Sequence, residues 1–283
     1  MTGHLPTAAD MERLFLQKYG DPATTGWAPR TRRKFGYFLP SDVYEATVAR
    51  HVRPGCRWLD VGGGDAVFPN NVVLAKQLVA RCANVTAVDP SPNVRRNTIV
   101  HERVESFLEA YTPTEKFDLV TMRMVAEHVE HPKAFARALA AATAPGGTVI
   151  VFTVNRWSPV SIVSALVPFR FHHPLKSLFW PGPEDATFPV HYRMNTPRKL
   201  AAVLAGAGFS LVTMARLDDL SVFGRFRRLS YAELVVRKGI NLFGLPYPEH
   251  CLLAVFQQPG KTESVTPARP DVQDERLVAS IEA

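Results

Sequence analysis

Residues 57–66 read Arg57-Trp58-Leu59-Asp60-Val61-Gly62-Gly63-Gly64-Asp65-Ala66, an apolar run that passes through an acid into three consecutive glycines. Glycine lets a backbone turn tightly, take positive φ and come close to a ligand, at an entropic cost on folding. The first turn of a following helix has N–H groups without intrahelical partners, and these favour a nucleotide-like or anionic ligand. The stretch reads as a strand that ends at a binding site.

Outward from this strand the chain alternates. Ser41 can cap a helix running to about residue 52, ended by Pro54-Gly55. After the glycines a helix is expected at about 69–81 with Pro69 in its first turn, then a strand at 85–88 and a short helix after Pro92. Strands near 99–104, 117–122 and 148–154 flank a helix at 132–143. Apolar strands alternating with helices predict a parallel sheet covered on both faces. Proline punctuates an aromatic and basic segment at 155–195, and the rhythm returns with a helix at 196–207, Gly208 and a strand at 209–215. A second irregular stretch at 218–250 precedes a last strand at 251–257. At the N-terminus Met11, Leu14, Phe15 and Tyr19 mark an amphipathic helix over 8–19, while 20–40 reads as irregular chain.

The 283 residues suffice for one large core, and the composition is that of a globular protein, with 46% hydrophobic and 21% charged residues. No apolar run reaches the roughly 18–20 residues of a membrane span, and no secretory signal is visible at the start. Cys56, Cys82 and Cys251 are odd in number and widely spaced, which suits neither a disulfide framework nor a zinc site. A cytoplasmic protein is expected. The formal charge of +7 attracts anionic partners without choosing among nucleic acid, lipid and acidic metabolites.

In an open α/β sheet the ligand lies beyond the carboxyl ends of the strands. The first such end matches acid-x-Gly-x-Gly-x-Gly, with Ala66 in place of the last glycine. The second strand ends at Asp89-Pro90, and Asp89 lies 23 residues beyond Ala66, near the roughly 20 expected for an acid that holds ribose hydroxyls. A carboxylate can accept both hydrogen bonds of a cis diol. The dinucleotide fingerprint Gly-x-Gly-x-x-Gly fails here, because Ala66-Val67-Phe68 supplies no third glycine. Asp60 would repel a pyrophosphate, whereas it suits a ligand with a cationic amino group.

With Phe117-Asp118-Leu119-Val120-Thr121-Met122, Glu127-His128-Val129-Glu130-His131-Pro132 and Ala144-Pro145-Gly146-Gly147-Thr148, the chain resembles the class I S-adenosylmethionine-dependent methyltransferases over about residues 40–215. The resemblance implies a Rossmann-like α/β fold whose seven-stranded sheet has its last strand antiparallel, with helical or irregular insertions after strands 5 and 6. It implies S-adenosylmethionine as cofactor. Asp60, Gly62, Gly63 and Gly64 are placed around its methionine part, and Asp89 with Pro90 at its ribose. Val104 and Glu105 are placed near adenine, and Met122 and Arg123 on the floor beside the sulfonium. Glu127-His128 looks most like the ubiquinone-biosynthesis O-methyltransferases and their small-molecule relatives. In such relatives a Glu-x-x-Glu-His pattern has been associated with a metal; Met124 stands at the first acid here, so no metal is expected. The division implied is a cap segment at 1–40, a methyltransferase domain at 41–258 whose insertions at about 155–195 and 218–250 form a substrate lid, and a disordered tail at 259–283.

His128 is the candidate general base, since an imidazole titrates near neutral pH, and Glu127 is a second catalytic candidate. Both could instead cap the following helix and pack its loop. Little else is demanded of side chains, because methyl transfer depends largely on alignment. Trp157 to Trp180 interleaves apolar, aromatic and basic residues, as does Phe223-Gly224-Arg225-Phe226-Arg227-Arg228. Such segments fit a lid over an apolar substrate, peripheral contact with the cytoplasmic face of a membrane, or an ordinary helical subdomain. Tyr192 and Arg193 are candidates for the substrate, and Tyr37 for capping the cofactor.

The function expected is methylation, at oxygen in the first instance, of a small apolar, aromatic or lipid-like metabolite. A nucleic-acid methyltransferase is the rival. It is disfavoured because Arg123-Met124-Val125-Ala126 replaces the Asn/Asp-Pro-Pro-aromatic motif of amino-directed base methylases, and because no cysteine follows a proline. A non-catalytic S-adenosylmethionine-binding protein is the third reading. No protein partner is expected.

Overall fold

A computed structural model describes residues 4–158, 188–221, 223–245 and 247–260. Most of the insertion expected at 155–195, and nearly all of the tail expected from 259, lie outside the described residues. Seven strands form one sheet in the order β3-β2-β1-β4-β5-β7-β6. They are β1 Arg57–Val61, β2 Asn84–Asp89, β3 Glu102–Glu105, β4 Phe117–Arg123, β5 Thr143–Val154, β6 Ser210–Asp218 and β7 Glu249–Gln257. The first five run parallel, and β7 is antiparallel to both β5 and β6. The sheet is the one the resemblance implied.

Alternation along β1 decides which side chain meets which layer. Trp58 belongs to the apolar layer beneath helices α1 (Ala8–Tyr19), α3 (Pro40–His51) and α4 (Val72–Val79), with Tyr44, Phe68 and Val85. Leu59 and Val61 belong to the opposite layer with Met122, Leu139 and Phe256, beneath α5 (Pro132–Ala142) and α6 (Pro197–Ala205). Asp60 therefore shares the Trp58 side, an acid buried in the sheet near the carboxyl end of β1.

Several boundaries differ from expectation. The helix after the glycines begins at Val72, and its cap is Asn71, whose side-chain oxygen accepts from Leu74 N–H at 3.2 Å. Pro69 precedes it. Helix α3 is not capped by Ser41: Pro40 occupies its first turn, and the Asp42 carboxylate accepts from Leu39 N–H. The stretches expected to be irregular each contain a helix, α2 (Trp27–Lys34) and α7 (Arg227–Leu242). In α2 only Thr31 is buried, so no apolar stripe announces it. In α7 the buried residues are Ser230 and Leu234 while Leu229, Tyr231, Val235 and Val236 are exposed, which hides the usual inside-outside contrast.

Candidate active site

The carboxyl ends of the parallel strands open into a cleft of about 800 Å³. One end of it is built by Val61-Gly62-x-Gly64 after β1, by Val88-Asp89-Pro90-Ser91 after β2 and by Ser106-Phe107-Leu108 after β3. Gly62 has φ +71°, and a Cβ there would stand 2.3 Å from Val125 Cγ2, so any other residue would need a left-handed backbone and a displaced Val125 side chain. Gly64 N–H and Ser91 N–H donate to the two Asp89 carboxylate oxygens at 3.0 and 2.7 Å. Each oxygen keeps acceptor capacity, since a carboxylate offers about four lone-pair sites.

Asp60 lies behind the glycines. Thr121 Oγ1 donates to its carboxylate at 2.7 Å and in turn accepts from Trp58 Nε1 at 2.8 Å. Burial pushes its carboxyl up to about 7, against the pull of the Thr121 hydroxyl and the Arg123 charge. The Tyr44 phenol is fully buried beside this acid, and burial raises its proton affinity too.

The other end of the cleft follows β4. Met124 takes φ +53°, and Val125, Val129 and Phe135 make an apolar wall that Phe188 joins from the far end of the insertion. His128 lines the cleft, and its Nδ1 lies 3.0 Å from the Pro189 carbonyl oxygen. A carbonyl can only accept, so Nδ1 carries a proton, and in the neutral form of the ring the lone pair lies on Nε2. Glu127 points elsewhere. Its carboxyl accepts from Thr153 Oγ1 at 2.7 Å, Thr153 accepts from Asn195 Nδ2 at 2.7 Å, and its carbonyl accepts from His191 N–H at 2.7 Å. Burial raises the proton affinity of the Glu127 carboxyl.

Of the expected site residues, Gly62, Gly64, Asp89, Pro90 and His128 line the cleft. Asp60, Gly63, Val104, Glu105, Met122, Arg123 and Glu127 do not. Gly63 faces Ala87, whose Cβ would lie 2.8 Å from an added Cβ. Met122 is fully buried in the core, Val104 packs on the same core, and Glu105 pairs with Arg95. Arg193 donates to the Glu130 carbonyl. Tyr37 is committed to another layer: its hydroxyl donates to the Asp218 carbonyl at 3.2 Å and accepts from Leu220 N–H at 2.9 Å. Sequence reasoning missed Ser106 and Phe107, although they directly follow a strand end and the strand-end rule reaches them. It also missed the wall residue Phe188 and His191, for which no local signal exists.

A model of a methyltransferase domain matches residues 28–214, well over half of the chain. Two relatives are named ubiquinone biosynthesis O-methyltransferase. The one from Xanthomonas campestris pv. campestris is 31% identical over 172 residues, 57% of this chain and 69% of its own length. The one from Xanthomonas euvesicatoria pv. vesicatoria is 32% identical over 208 residues, 69% of this chain and 80% of its own. The fold is shared with a chain of the solved complex between the Haloferax volcanii Trm112 methyltransferase activator and a methyltransferase. That match has a TM-score of 0.53 at 14% identity and covers 84% of this chain and 96% of the other. With the seven-stranded sheet, the glycine turn and Asp89 in one cleft, the chain belongs to the methyltransferase family, and its cofactor is S-adenosylmethionine.

Proposed function

We propose that the enzyme methylates a hydroxyl group of a small apolar, aromatic or lipid-like acceptor. The observation that carries this reading is His128, held through Nδ1 by the Pro189 carbonyl, with no hydrogen-bond partner for Nε2 among the described residues, in the apolar half of the cleft that contains Gly62 and Asp89. The names of the two relatives support oxygen as the acceptor atom.

The residues present fit the cofactor. Gly62 and Gly64 leave the backbone bare at the cleft, and Asp89 keeps acceptor sites beside them. Asp89 would hold the ribose hydroxyls, and the Gly62–Gly64 turn would hold the methionine part. Asp60 would act from behind that turn on its ammonium group. Ser106 and Phe107 replace Val104 and Glu105 as the residues we place at the adenine. When bound, S-adenosylmethionine supplies a methyl group already activated on a cationic sulfur. His128 Nε2 takes the hydroxyl proton of the acceptor, and the apolar wall excludes competing water. Glu127 is a positioning residue: through Thr153 and Asn195 it ties the returning end of the insertion, and so Pro189 and His191, to β5.

Phe188, Pro189 and His191 in the cleft wall support reading the insertion as a lid on a domain spanning 41–258, with 1–40 as its cap. Cys56, Cys82 and Cys251 are free thiols, the sulfurs of the first two 3.5 Å apart. No described helix is long and apolar enough to cross a membrane.

Calorimetry with S-adenosylmethionine, followed by transfer of labelled methyl to an alkyl-substituted catechol, tests the reading. His128→Ala should lower kcat by roughly 10²–10⁴-fold with unchanged cofactor affinity. A parent protein that binds no S-adenosylmethionine, or a His128→Ala variant as fast as the parent, would sink it.

A further inference from the structure

Helix α7 shows the solvent an apolar face. Eight of the fourteen exposed large apolar side chains among the described residues lie between Phe226 and Leu245, including Leu229, Tyr231, Val236 and Phe243. The inward arc is filled by Ser230, Leu234 and Arg237, the last donating to Asp218 at 2.7 Å. A contiguous apolar face of this size on a globular domain marks a contact surface.

Its charges identify the partner. Arg225, Arg227, Arg228 and Lys238 are exposed, and the neighbouring α2 adds exposed Arg30 and Lys34. The one acid between 225 and 245, Glu233, is half-buried and accepts from Tyr247 Oη at 3.0 Å. Isologous pairing with a second copy would set this cationic face against itself, where like charges repel. An anionic lipid surface accepts both features, with aliphatic and aromatic side chains entering the headgroup boundary and Arg and Lys meeting phosphates. The topology agrees. Because β6 and β5 run the same way, the segment 219–248 leaves and re-enters the sheet at its carboxyl edge, where the cleft opens.

We propose that the outward face of α7, flanked by α2, seats the protein on an anionic lipid surface. The proposal is independent of the acceptor assigned above. The test is co-sedimentation of the full chain with phosphatidylcholine vesicles, with and without phosphatidylglycerol, at low and high salt. Binding is expected to need phosphatidylglycerol and to weaken with salt. The double variant Arg228→Glu/Lys238→Glu should bind at least roughly 25-fold more weakly, about five-fold for each cation removed. Val236→Glu/Phe243→Glu should lose at least tenfold. Should that variant fold poorly, Phe243→Trp gives a second readout: brominated lipid should quench its fluorescence beyond that of the parent's own four tryptophans. The proposal is overturned by a parent that ignores phosphatidylglycerol, by double variants that bind like the parent, or by a Phe243→Trp variant that brominated lipid quenches no more than the parent. It is equally overturned if light scattering shows a dimer that Val236→Glu/Phe243→Glu dissociates.

Discussion

The Asp60 carboxyl has an ordinary value of 3.8 and is pushed up to about 7 by burial in the folded chain. Between these values the folded state holds a proton that the unfolded state has released, so stability from this group is fullest at low pH. It falls as pH rises from about 4 to about 7, and above that a constant cost remains, on the order of a few kcal/mol. Subtracting the melting curve of Asp60→Asn from that of the parent across pH 4–8.5 should isolate this slope; coincident profiles would refute it. On the proposed placement, bound S-adenosylmethionine brings an ammonium group that favours the ionised acid, so parent affinity should rise as pH passes through about 7, and Asp60→Asn should bind weakly at every pH. Gly62→Ala carries two penalties, a positive φ and the 2.3 Å approach to Val125. It should cost more than tenfold in cofactor affinity, whereas Gly64→Ala meets no atom within 4 Å and should cost less. Calorimetry on both variants checks the order. These residues were legible in the sequence because strand-end chemistry is written in consecutive positions. For Glu127 the sequence left catalysis and packing both open, because its partners Thr153 and Asn195 arrive from β5 and from the end of the insertion.

Among the elements, α1 is bolted to the sheet layer by charge rather than by apolar contact alone. Lys18 Nζ, almost fully buried, donates to Asp42 at 2.8 Å and to Glu45 at 2.9 Å. Glu45 also accepts from Asn71, the cap of α4, at 3.0 Å. One lysine thus joins α1, α3 and the start of the helix that follows the glycine turn. Lys18→Met should leave two buried carboxylates uncompensated, costing about 3–5 kcal/mol and lowering Tm by about 10 °C. A melting curve within a degree or two of the parent would show the network to be dispensable. The network was invisible in sequence, since Lys18, Asp42, Glu45 and Asn71 look like surface residues until the helices pack. Strands β1, β2 and β4, by contrast, were legible to within about a residue, because each is an apolar run bounded by turn residues, whereas β3, read near 99–104, is the charged Glu102–Glu105, and β5 begins at Thr143 rather than at 148. Helices α2 and α7 escaped for a physical reason: one buries a single threonine, and the other points its apolar side chains outward.

Over the whole molecule the cleft has two halves with separate origins. The ends of β1, β2 and β3 supply Gly62, Asp89 and Phe107, while the loop after β4 and residues 188–191 supply Val125, His128 and Phe188. If the first half alone holds the cofactor, ligand-linked stabilisation should follow it and ignore the second. S-adenosylhomocysteine at a hundredfold excess over its Kd should add about 2.7 kcal/mol, a rise in Tm of about 5–10 °C for a domain of this size. Asp89→Ala should abolish that rise at the same ligand concentration, because it removes the acceptor we propose for the ribose hydroxyls. His128→Ala should keep the rise in full while losing methyl transfer. The pair of outcomes separates donor binding from acceptor chemistry in one experiment. A His128→Ala variant that also loses the rise would place the histidine in the donor half, and the proton transfer assigned to it would have to pass to another group.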